Sequence, residues 1–291
     1  MQQVVNGLFL GSIYALFALG YTLVFGVLDI LNLAHAAVFT VCAFVALALV
    51  GTLHLHTLVA LPIAVGLAGL LGVALERVAF RPLRGRSDSN ISGLISSLAA
   101  ATILEALAVA VWGPDKLRFP FGALPDRRVQ LAGAVVSEVQ MVIIAISVAM
   151  MVALTFLLRR TRLGRQIRAV AESSLAARIL GVNVDRVIAA SFFISSALGG
   201  AAGVLFGLAF NDVSADMGRS VELKGLAVII LGGMGSMPGA VLAGYGLGLI
   251  EVFTVARLGS SWRDGVSFAV LFLVLLLRPR GLMGQAATRL A

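Results

Sequence analysis

Three polar side chains, Asp29, Asn32 and His35, lie close together inside the apolar stretch LDILNLAHAAVF. At intervals of three residues they could share one face of a helix. They could instead line a break in a helix, where backbone groups would face a water-filled path for a small solute. An ordinary hydrogen-bond network between helices would use the same residue types, so both interpretations stay open. These three residues are therefore candidates for a translocation path.

The residues needed for enzymatic or metal chemistry do not converge anywhere in the sequence. The only histidines are His35, His54 and His56, and the single cysteine, Cys42, does not complete a ligand cluster with them, so no metal site is predicted. The glycine-rich stretch LGGMGSMPG lacks the lysine of a phosphate-binding loop. We therefore expect no cofactor and no catalytic residues, and energy from ATP would have to come from another polypeptide.

One carboxylate, Glu105, lies deep in the apolar stretch AATILEALAVAV. A charge inside a membrane is costly unless it faces a partner or water. The pattern favours a structural tie between two helices, with a functional role as the alternative. Acidic residues within apolar segments also keep an ion-coupled secondary transporter open as a second class of function.

The composition indicates that helices crossing a membrane position these residues. Of the 291 residues, 60% are hydrophobic and only 12% are charged, which excludes an ordinary soluble domain. Several apolar windows reach the roughly 20 residues that a membrane-spanning helix needs, and none alternates like a barrel strand. The predicted fold is an all-α polytopic membrane protein with one transmembrane domain over 1–291. The predicted spans are 4–26, 36–52, 57–80, 91–112, 139–158, 187–210, 222–256 and 264–278.

The seventh predicted span is too long for one straight helix and contains GGMGSMPGA, with Gly233 and Gly235. Glycine loosens a helix and proline removes a backbone donor, so we expect two shorter helices joined by a break within the membrane region. The chain would then cross the membrane eight or nine times. Two similar stretches, GLLGVALER and GYGLGLIEV, carry Glu76 and Glu251 near their ends and would run in opposite directions, which suggests a possible inverted repeat.

The distribution of arginine sets the predicted orientation. The stretch ERVAFRPLRGRSDSN, the loop 159–186 and the C-terminal RPRGLMGQAATRL are rich in arginine and are predicted to face the cytoplasm. The loops 113–137 and 211–221 mix both signs and fit the outer face. The N-terminus then lies outside, and its first apolar stretch, which no basic residue precedes, is expected to be a span rather than a cleaved signal. Basic cytoplasmic loops also account for the net charge of +8 without nucleic acid.

One cytoplasmic stretch, LGRQIRAVAESSLAARILGVNVDRV, is too polar for lipid but has a helical pattern. Apolar residues recur every four positions, and Gly181 then supplies a natural C-terminal stop. A short amphipathic helix is predicted, which could lie on acidic lipid head groups or dock onto a cytosolic partner. The apolar stripe consists of Ile167, Ala171, Leu175 and Ile179.

Four stretches resemble one known family. They are NGLFLGSIYALFALGYTLVFGVLDILNLAH, ERVAFRPLRGR, AVAESSLAARILGVNVDRVIAASFFISSALGGAAGVLFG and LKGLAVIILGGMGSMPGAVLAGYGLGLIE. In this order and spacing they are similar to permeases of branched-chain amino acid ABC transporters, of the LivH type. The resemblance covers most of the chain.

The resemblance implies a non-catalytic permease of the cell inner membrane that imports branched-chain or related hydrophobic amino acids. Its partners would be a second homologous permease, two cytosolic ABC ATPases and a periplasmic substrate-binding protein. Family permeases carry a cytoplasmic coupling loop in which a glutamate is followed by small residues and a glycine, and which seats in a cleft of the ATPase. In the loop 159–186 the matching positions are Glu172, Ala176, Ala177 and Gly181, with Arg186 near its end. The resemblance also places Gly233 and Gly235 near the solute path.

The sequence departs from the family pattern at two positions. Ser173 stands where the family usually has an acidic or amide residue, which affects one polar contact of the coupling loop. Ala36 stands where the family usually has a glycine after the histidine, so the ligand could differ. The resemblance also implies that selectivity resides largely in the separate binding protein, and related permeases serve urea, amides or other small solutes, so these stay open as alternatives. The choice between a homodimer and a heterodimer stays open as well.

Overall fold

The computed structural model describes residues 1–84, 89–120, 128–131 and 134–284. The described residues are mostly helical, and one antiparallel hairpin joins strands β1 (Arg128–Leu131) and β2 (Ala134–Ser137). The helices are α1 (Gln2–Leu28), α2 (Ala34–Gly51), α3 (Thr57–Leu75), α4 (Ser89–Trp112), α5 (Glu138–Arg160), α6 (Arg162–Glu172), α7 (Ser174–Ile179), α8 (Val184–Phe210), α9 (Met217–Gly232), α10 (Met237–Leu258) and α11 (Arg263–Leu277). A π-helical turn (Glu76–Phe80) and a 3₁₀ turn (Arg81–Leu83) continue α3, and a 3₁₀ turn (Ser260–Trp262) precedes α11.

Eight stretches of the described chain are long and apolar enough to cross a membrane, which confirms the predicted all-α polytopic class. Their ends agree with the predicted spans to within a few residues, except in the seventh. They are Gln2–Leu28, Ala34–Gly51, Thr57–Leu83, Ile91–Trp112, Glu138–Arg160, Val184–Phe210, Met237–Leu258 and Ser260–Leu277.

The seventh predicted span is broken, as the sequence indicated. The helix α9 has 16 residues and α10 has 22, and four residues separate them. At 1.5 Å per residue α9 is only about 24 Å long, which is short for a span. Ser236 starts α10 by accepting a hydrogen bond from the amide of Gly239 at 3.3 Å, and Pro238 stands in the first turn, where its missing donor does no harm.

The helix α1 forms the centre of the bundle and packs against α5, α8, α9 and α10. Its closest approach is to α10, where a Cβ added to Gly248 would lie 2.5 Å from Cα of Gly11. Between α2 and α8, a Cβ on Gly203 would overlap the carbonyl oxygen of Phe39. In lipid, helices associate largely through such close packing, because no hydrophobic force drives them together.

The outer helices expose apolar side chains. Large hydrophobic residues are exposed on α3, α4, α5 and α11, including Leu70, Ile103, Phe156 and Phe272. An exposed apolar surface at membrane depth is what a lipid-facing helix requires. The chain is therefore a multi-pass membrane protein in which α1, α2 and α8 lie inside and these four helices form much of the rim.

Loops that were predicted to share a side of the membrane contact each other. Lys116 and Asp212, from the two predicted outer loops, form an ion pair at 2.8 Å, and this hydrogen bond raises the pKa of Lys116. Between the two loops that are predicted to face the cytoplasm, Arg84 pairs with Asp185 at 3.1 Å. Residues 85–88, 121–127, 132–133 and 285–291 of the predicted loops and C-terminus lie outside the described residues.

Candidate translocation and coupling sites

The candidates Asp29, Asn32 and His35 lie at a break rather than on one helix face. Asp29 ends α1 in a left-handed conformation, with φ 55°, and is exposed. Asn32 is buried, and its side-chain oxygen accepts a hydrogen bond from the amide of Ala34 at 3.2 Å. Ser97 of α4 accepts a hydrogen bond from the amide of Leu33 at 3.2 Å. The backbone of this break is therefore partly satisfied by α4.

His35 is a contact point between three helices. Its side chain is fully buried, with Nε2 3.3 Å from the carbonyl oxygen of Phe17. The rings of Phe17 and Tyr21 lie 4.7 and 5.5 Å from the imidazole ring. On the α8 side, a Cβ at Gly199 would lie 2.5 Å from Cε1 of His35, so a larger residue there would displace the ring. This geometry favours the packing and hydrogen-bonding interpretation of His35.

The break between α9 and α10 is closed by the segment after α11. The amides of Leu282 and Met283 donate hydrogen bonds to the carbonyls of Leu231 and Gly232 at 2.8 and 3.0 Å. These two carbonyls of the break are therefore satisfied within the chain. Gly233 has φ 99° and is buried against the C-terminal segment. A side chain at this position would overlap the backbone of Gly284.

Three cavities follow a groove whose walls are α5 and α10. The inner cavity, of about 520 Å³ and on the predicted cytoplasmic side, is also lined by α1, by the second half of α6 and by the break, where Gly235 and Ser236 contribute. A second cavity of about 480 Å³ lies between α5 and the residues Val241 and Tyr245 of α10. The outer cavity, of about 310 Å³, is lined by α1, α5, α10 and Arg263. Of the sequence candidates for the path, Gly235 lies in this groove, whereas Asp29, Asn32, His35 and Gly233 do not line it.

An ionic network lies beside the outer cavity. Glu251 of α10 is fully buried and accepts hydrogen bonds from Tyr14 at 2.9 Å and from Arg263 at 2.7 Å. Lys224 of α9 pairs with Glu251 at 2.9 Å and with Asp264 at 3.1 Å. Two cations thus meet two carboxylates, and the network joins α1, α9, α10 and α11 where these helices pack together.

Glu105 forms a tie between helices. Its carboxylate lies 3.3 Å from the guanidinium of Arg219 in the first turn of α9. Glu105 is seven residues from the end of α4, which puts it about 10 Å below Trp112 along the axis. The contact supports the structural interpretation that the sequence favoured.

The predicted cytoplasmic amphipathic helix is two helices, so the prediction of one continuous helix is wrong. Ser173 is extended, with φ −158°, and its hydroxyl accepts a hydrogen bond from the amide of Ala176 at 3.1 Å to start α7. A serine side chain that bonds to the backbone offers an alternative to helix continuation. The apolar stripe is divided as a result: Ile167 is buried against the bundle, whereas Leu175 and Ile179 are 70% and 77% exposed.

Gly181 ends α7 as predicted, with φ 82° and no heavy atom near its absent side chain. The amide of Val182 reaches back to the carbonyl of Ala177 at 3.0 Å, which is the bonding of a glycine-terminated helix. Ala177 is buried, whereas Glu172, Ala176 and Arg186 are exposed. The predicted coupling-loop residues therefore form an exposed surface, with one alanine buried against the protein.

Comparison with known proteins identifies the family. Residues 3–275 match the model of the branched-chain amino acid transport system / permease component family. The chain belongs to this family. It is 35% identical to the high-affinity branched-chain amino acid transport system permease protein BraD of Pseudomonas aeruginosa, over 98% of this chain and 96% of that protein. Similarity to LivH of Escherichia coli K12, a permease protein of the same description, is also 35% over 98% and 96%.

A solved structure supports the fold of this permease family member. PsaBC from Streptococcus pneumoniae, in complex with Fab, aligns with a TM-score of 0.51 over 96% of this chain and 93% of that chain. The sequence identity is 13%, so the likeness concerns the fold alone.

Sequence reasoning missed the ionic network, although a signal for it existed. In the sequence, Glu251 stands out only as part of a glycine-rich stretch, and Lys224 belongs to no motif. Both charges interrupt predicted apolar segments, and an ionisable residue at membrane depth requires a partner. Which partners meet could not be deduced, because that depends on how α9 and α10 pack against α1.

Proposed function

We propose that this permease is the membrane-spanning subunit of an ABC importer for branched-chain or related hydrophobic amino acids. Family membership over residues 3–275 is the observation that carries the proposal. The subunit would act in the inner membrane with a second homologous permease, two cytosolic ATPases and a periplasmic binding protein. Catalysis of ATP hydrolysis would belong to the ATPases, and this chain would convert their closure into movement of its helices.

The proposed coupling surface is the exposed side of α7. Leu175 and Ile179 present apolar side chains next to the carboxylate of Glu172 and the turn at Gly181. An ATPase cleft that accepted this surface would bury the two apolar side chains, and burial of each side chain would contribute about 1.5 to 3 kcal/mol. The other side of the segment, through Ile167, rests on the bundle and could carry motion to α5 and the inner cavity.

The proposed solute route is the groove between α5 and α10. Its outer cavity combines the amides of Asn6 and Gln140 with apolar walls, and its inner cavity ends at the break and at Arg159. Apolar walls with a few polar groups suit a small amino acid with an aliphatic side chain. Exposed side chains such as Val152 and Phe156 on α5 leave the groove open at the side, where the second permease would close it.

Reconstitution tests the class of function. The permease, its partner permease, the ATPases and the binding protein would be placed in proteoliposomes, and uptake of radiolabelled leucine would be measured with ATP. We expect uptake that requires ATP and every subunit. Uptake by the purified chain alone under an ion gradient would instead establish the ion-coupled alternative, and uptake of urea or amides in preference to leucine would change the substrate class.

A pair of cysteine variants tests the route. In a Cys42→Ala background, Val241→Cys lies in the groove and Leu70→Cys lies on the lipid-facing side of α3. We expect a hydrophilic thiol reagent to modify position 241 in the assembled importer and to block uptake, and position 70 to stay unmodified. Equal protection of both positions would remove the groove from the route.

A further inference from the structure

A separate polar cavity of about 230 Å³ lies where the end of α3 meets the start of α8. One wall is formed by the π-helical and 3₁₀ turns after α3, and the other by the first turn of α8. It is distinct from the groove between α5 and α10 and from the exposed side of α7. Its polar lining consists of Glu76, Arg77, Arg81, Asn183, Asp185 and Arg186.

The charges around this cavity leave a positive excess. Glu76 is buried and forms an ion pair with Arg84, so its charge is neutralised. Asp185 accepts hydrogen bonds from Arg84 at 3.1 Å and from Arg81 at 3.4 Å.

Two further arginines, Arg77 and Arg186, have no ion pair within the described part of the chain and face the cavity from opposite walls. Four arginines therefore meet two carboxylates, which leaves two positive charges without a counter-ion.

We propose that this cavity binds the phosphate of an acidic phospholipid head group from the cytoplasmic leaflet. Guanidinium groups bind phosphate oxygens through paired, charge-assisted hydrogen bonds, and basic pockets at the cytoplasmic ends of membrane helices suit such head groups. The free guanidinium groups of Arg77 and Arg186 would hold the phosphate from two sides.

The position of the cavity favours a lipid over a soluble phosphate. Arg77 and Arg81 belong to the membrane-spanning stretch Thr57–Leu83, at its cytoplasmic end. Val78, between them, is 78% exposed, and Leu70 two turns earlier is exposed on the same helix. Acyl chains could therefore lie along α3 while the head group reaches the arginines, an arrangement that a free phosphate could not use.

The site would connect lipid composition to the coupling loop. Asp185 lies four residues after Gly181 and follows Asn183, which starts α8 by accepting a hydrogen bond from the amide of Arg186 at 3.1 Å. A bound phosphate would compete with Asp185 for Arg81 and would change how the end of α3 holds this junction. Binding itself does not depend on the proposed transport function, whereas a role for binding at the coupling loop rests on that function.

The binding test uses the purified full-length chain in detergent with phosphatidylglycerol or phosphatidylcholine, measured by native mass spectrometry. The double variant Arg77→Gln/Arg186→Gln is compared with Arg162→Gln/Arg165→Gln, which removes two cytoplasmic arginines from α6. We expect the first pair to weaken phosphatidylglycerol binding at least about tenfold and the second to change it less than about twofold. Equal binding by both pairs would overturn the proposal.

A variant that is expected to bind the lipid more tightly shows whether misfolding explains the loss of binding in the arginine variants. Asp185→Asn removes the carboxylate that competes with the phosphate, so it should bind phosphatidylglycerol more tightly than the unchanged chain. Binding that weakens instead would contradict the site.

Two further outcomes would also overturn the proposal. Inorganic phosphate that displaces phosphatidylglycerol at millimolar concentration would identify a soluble anion as the ligand. Loss of lipid binding on assembly with the ATPases would identify the cavity as a protein contact. The expected results are insensitivity to inorganic phosphate and retention of the lipid in the complex.

Discussion

At Gly181 the backbone conformation, and not the packing of neighbouring atoms, limits which residue can be present. Its φ of 82° is open to glycine and costly for a branched residue, yet no atom lies near its absent side chain. A substitution there would therefore act through the backbone alone. Gly113, after α4 in a predicted outer loop, has φ 89° and an equally open environment, which makes it a matched control.

Gly181→Val is expected to disturb coupling while Gly113→Val does not. Each substitution should cost about 1 to 2 kcal/mol of local strain, but only the first tilts the exposed surface of α7. We expect near-normal expression of both variants, with loss of substrate-stimulated ATP hydrolysis in reconstituted importers of Gly181→Val alone. Full stimulation in both variants would indicate that α7 lies on lipid head groups and does not couple to the ATPases.

A charge reversal at the same surface gives an independent check. Glu172→Lys leaves the backbone of α6 unchanged, because the exposed side chain points away from the bundle, but it reverses one charge at the proposed ATPase contact. The control is Glu138→Lys, the same exchange at the start of α5, which is the end of that helix away from α6. We expect the ATPases to co-purify less well with Glu172→Lys than with this control. Equal recovery of the ATPases with both variants would argue against a contact at Glu172.

Glu251 carries most of the buried charge of the ionic network. Its removal leaves Lys224 and Arg263 facing each other with Asp264 as the remaining carboxylate. Breaking a buried pair in this way typically costs about 3 to 5 kcal/mol, because a cation is left unpaired.

We therefore expect Glu251→Gln to lower the free energy of unfolding by that amount, seen as a lower thermal midpoint of the purified permease. The control is Glu105→Gln, whose partner Arg219 is exposed, so its loss should cost less than about 1 kcal/mol. Equal midpoints for the two variants would show that the network contributes little to stability.

At the scale of helices, the close approach of α2 and α8 depends on a missing side chain. A methyl group at Gly203 would overlap the carbonyl of Phe39, whereas one at Gly246 of α10 would meet nothing within 4 Å. Both are helical glycines, so both substitutions by alanine gain helix propensity of about 0.5 to 1 kcal/mol.

Gly246→Ala should therefore be neutral or slightly stabilising, and Gly203→Ala should destabilise the permease by about 1 to 3 kcal/mol. Thermal unfolding of the two variants in the same detergent gives the comparison. A stabilised Gly203→Ala would mean that α2 and α8 separate at little cost.

Helix positions were predictable from the sequence because apolar length alone defines a span, and the break near Gly233 was predictable because glycine and proline interrupt helices by local chemistry. The division of α6 from α7 was not found, because the apolar period continues through Ser173 and only its side-chain bond to Ala176 stops the helix. Periodicity cannot detect that local competition.

The candidate path shows the limit of local pattern at the scale of the whole molecule. Asp29, Asn32 and His35 are close in sequence and polar, but three helices bury His35 away from the groove. The groove between α5 and α10 is formed by segments about 90 residues apart, whose apolar side chains give no sign of a shared cavity. Long-range packing, and not residue type, decides which surfaces face a path.

Contacts between loops join those that are predicted, from arginine content, to share a side of the membrane. The predicted outer loops are joined through Leu117 and Val213, whose backbones pair at 2.9 Å, and the predicted cytoplasmic loops are joined through Arg84 and Asp185. Since each group is internally connected, each is expected to lie on one face as a unit, and labelling one member of each group tests the predicted orientation of both.

Labelling of one cysteine in each group tests the predicted orientation. In a Cys42→Ala background, Leu180→Cys places an exposed thiol beside Gly181, and Asp115→Cys places one in the loop after α4. Because seven arginines between 159 and 186 oppose transfer of that loop across the membrane, a membrane-impermeant maleimide should label position 115 in intact cells and position 180 only after the inner membrane is opened. Labelling of position 180 in sealed cells would invert the topology. Both the coupling surface of α7 and the lipid site at Arg77 and Arg186 would then face the wrong side, and neither proposal could stand.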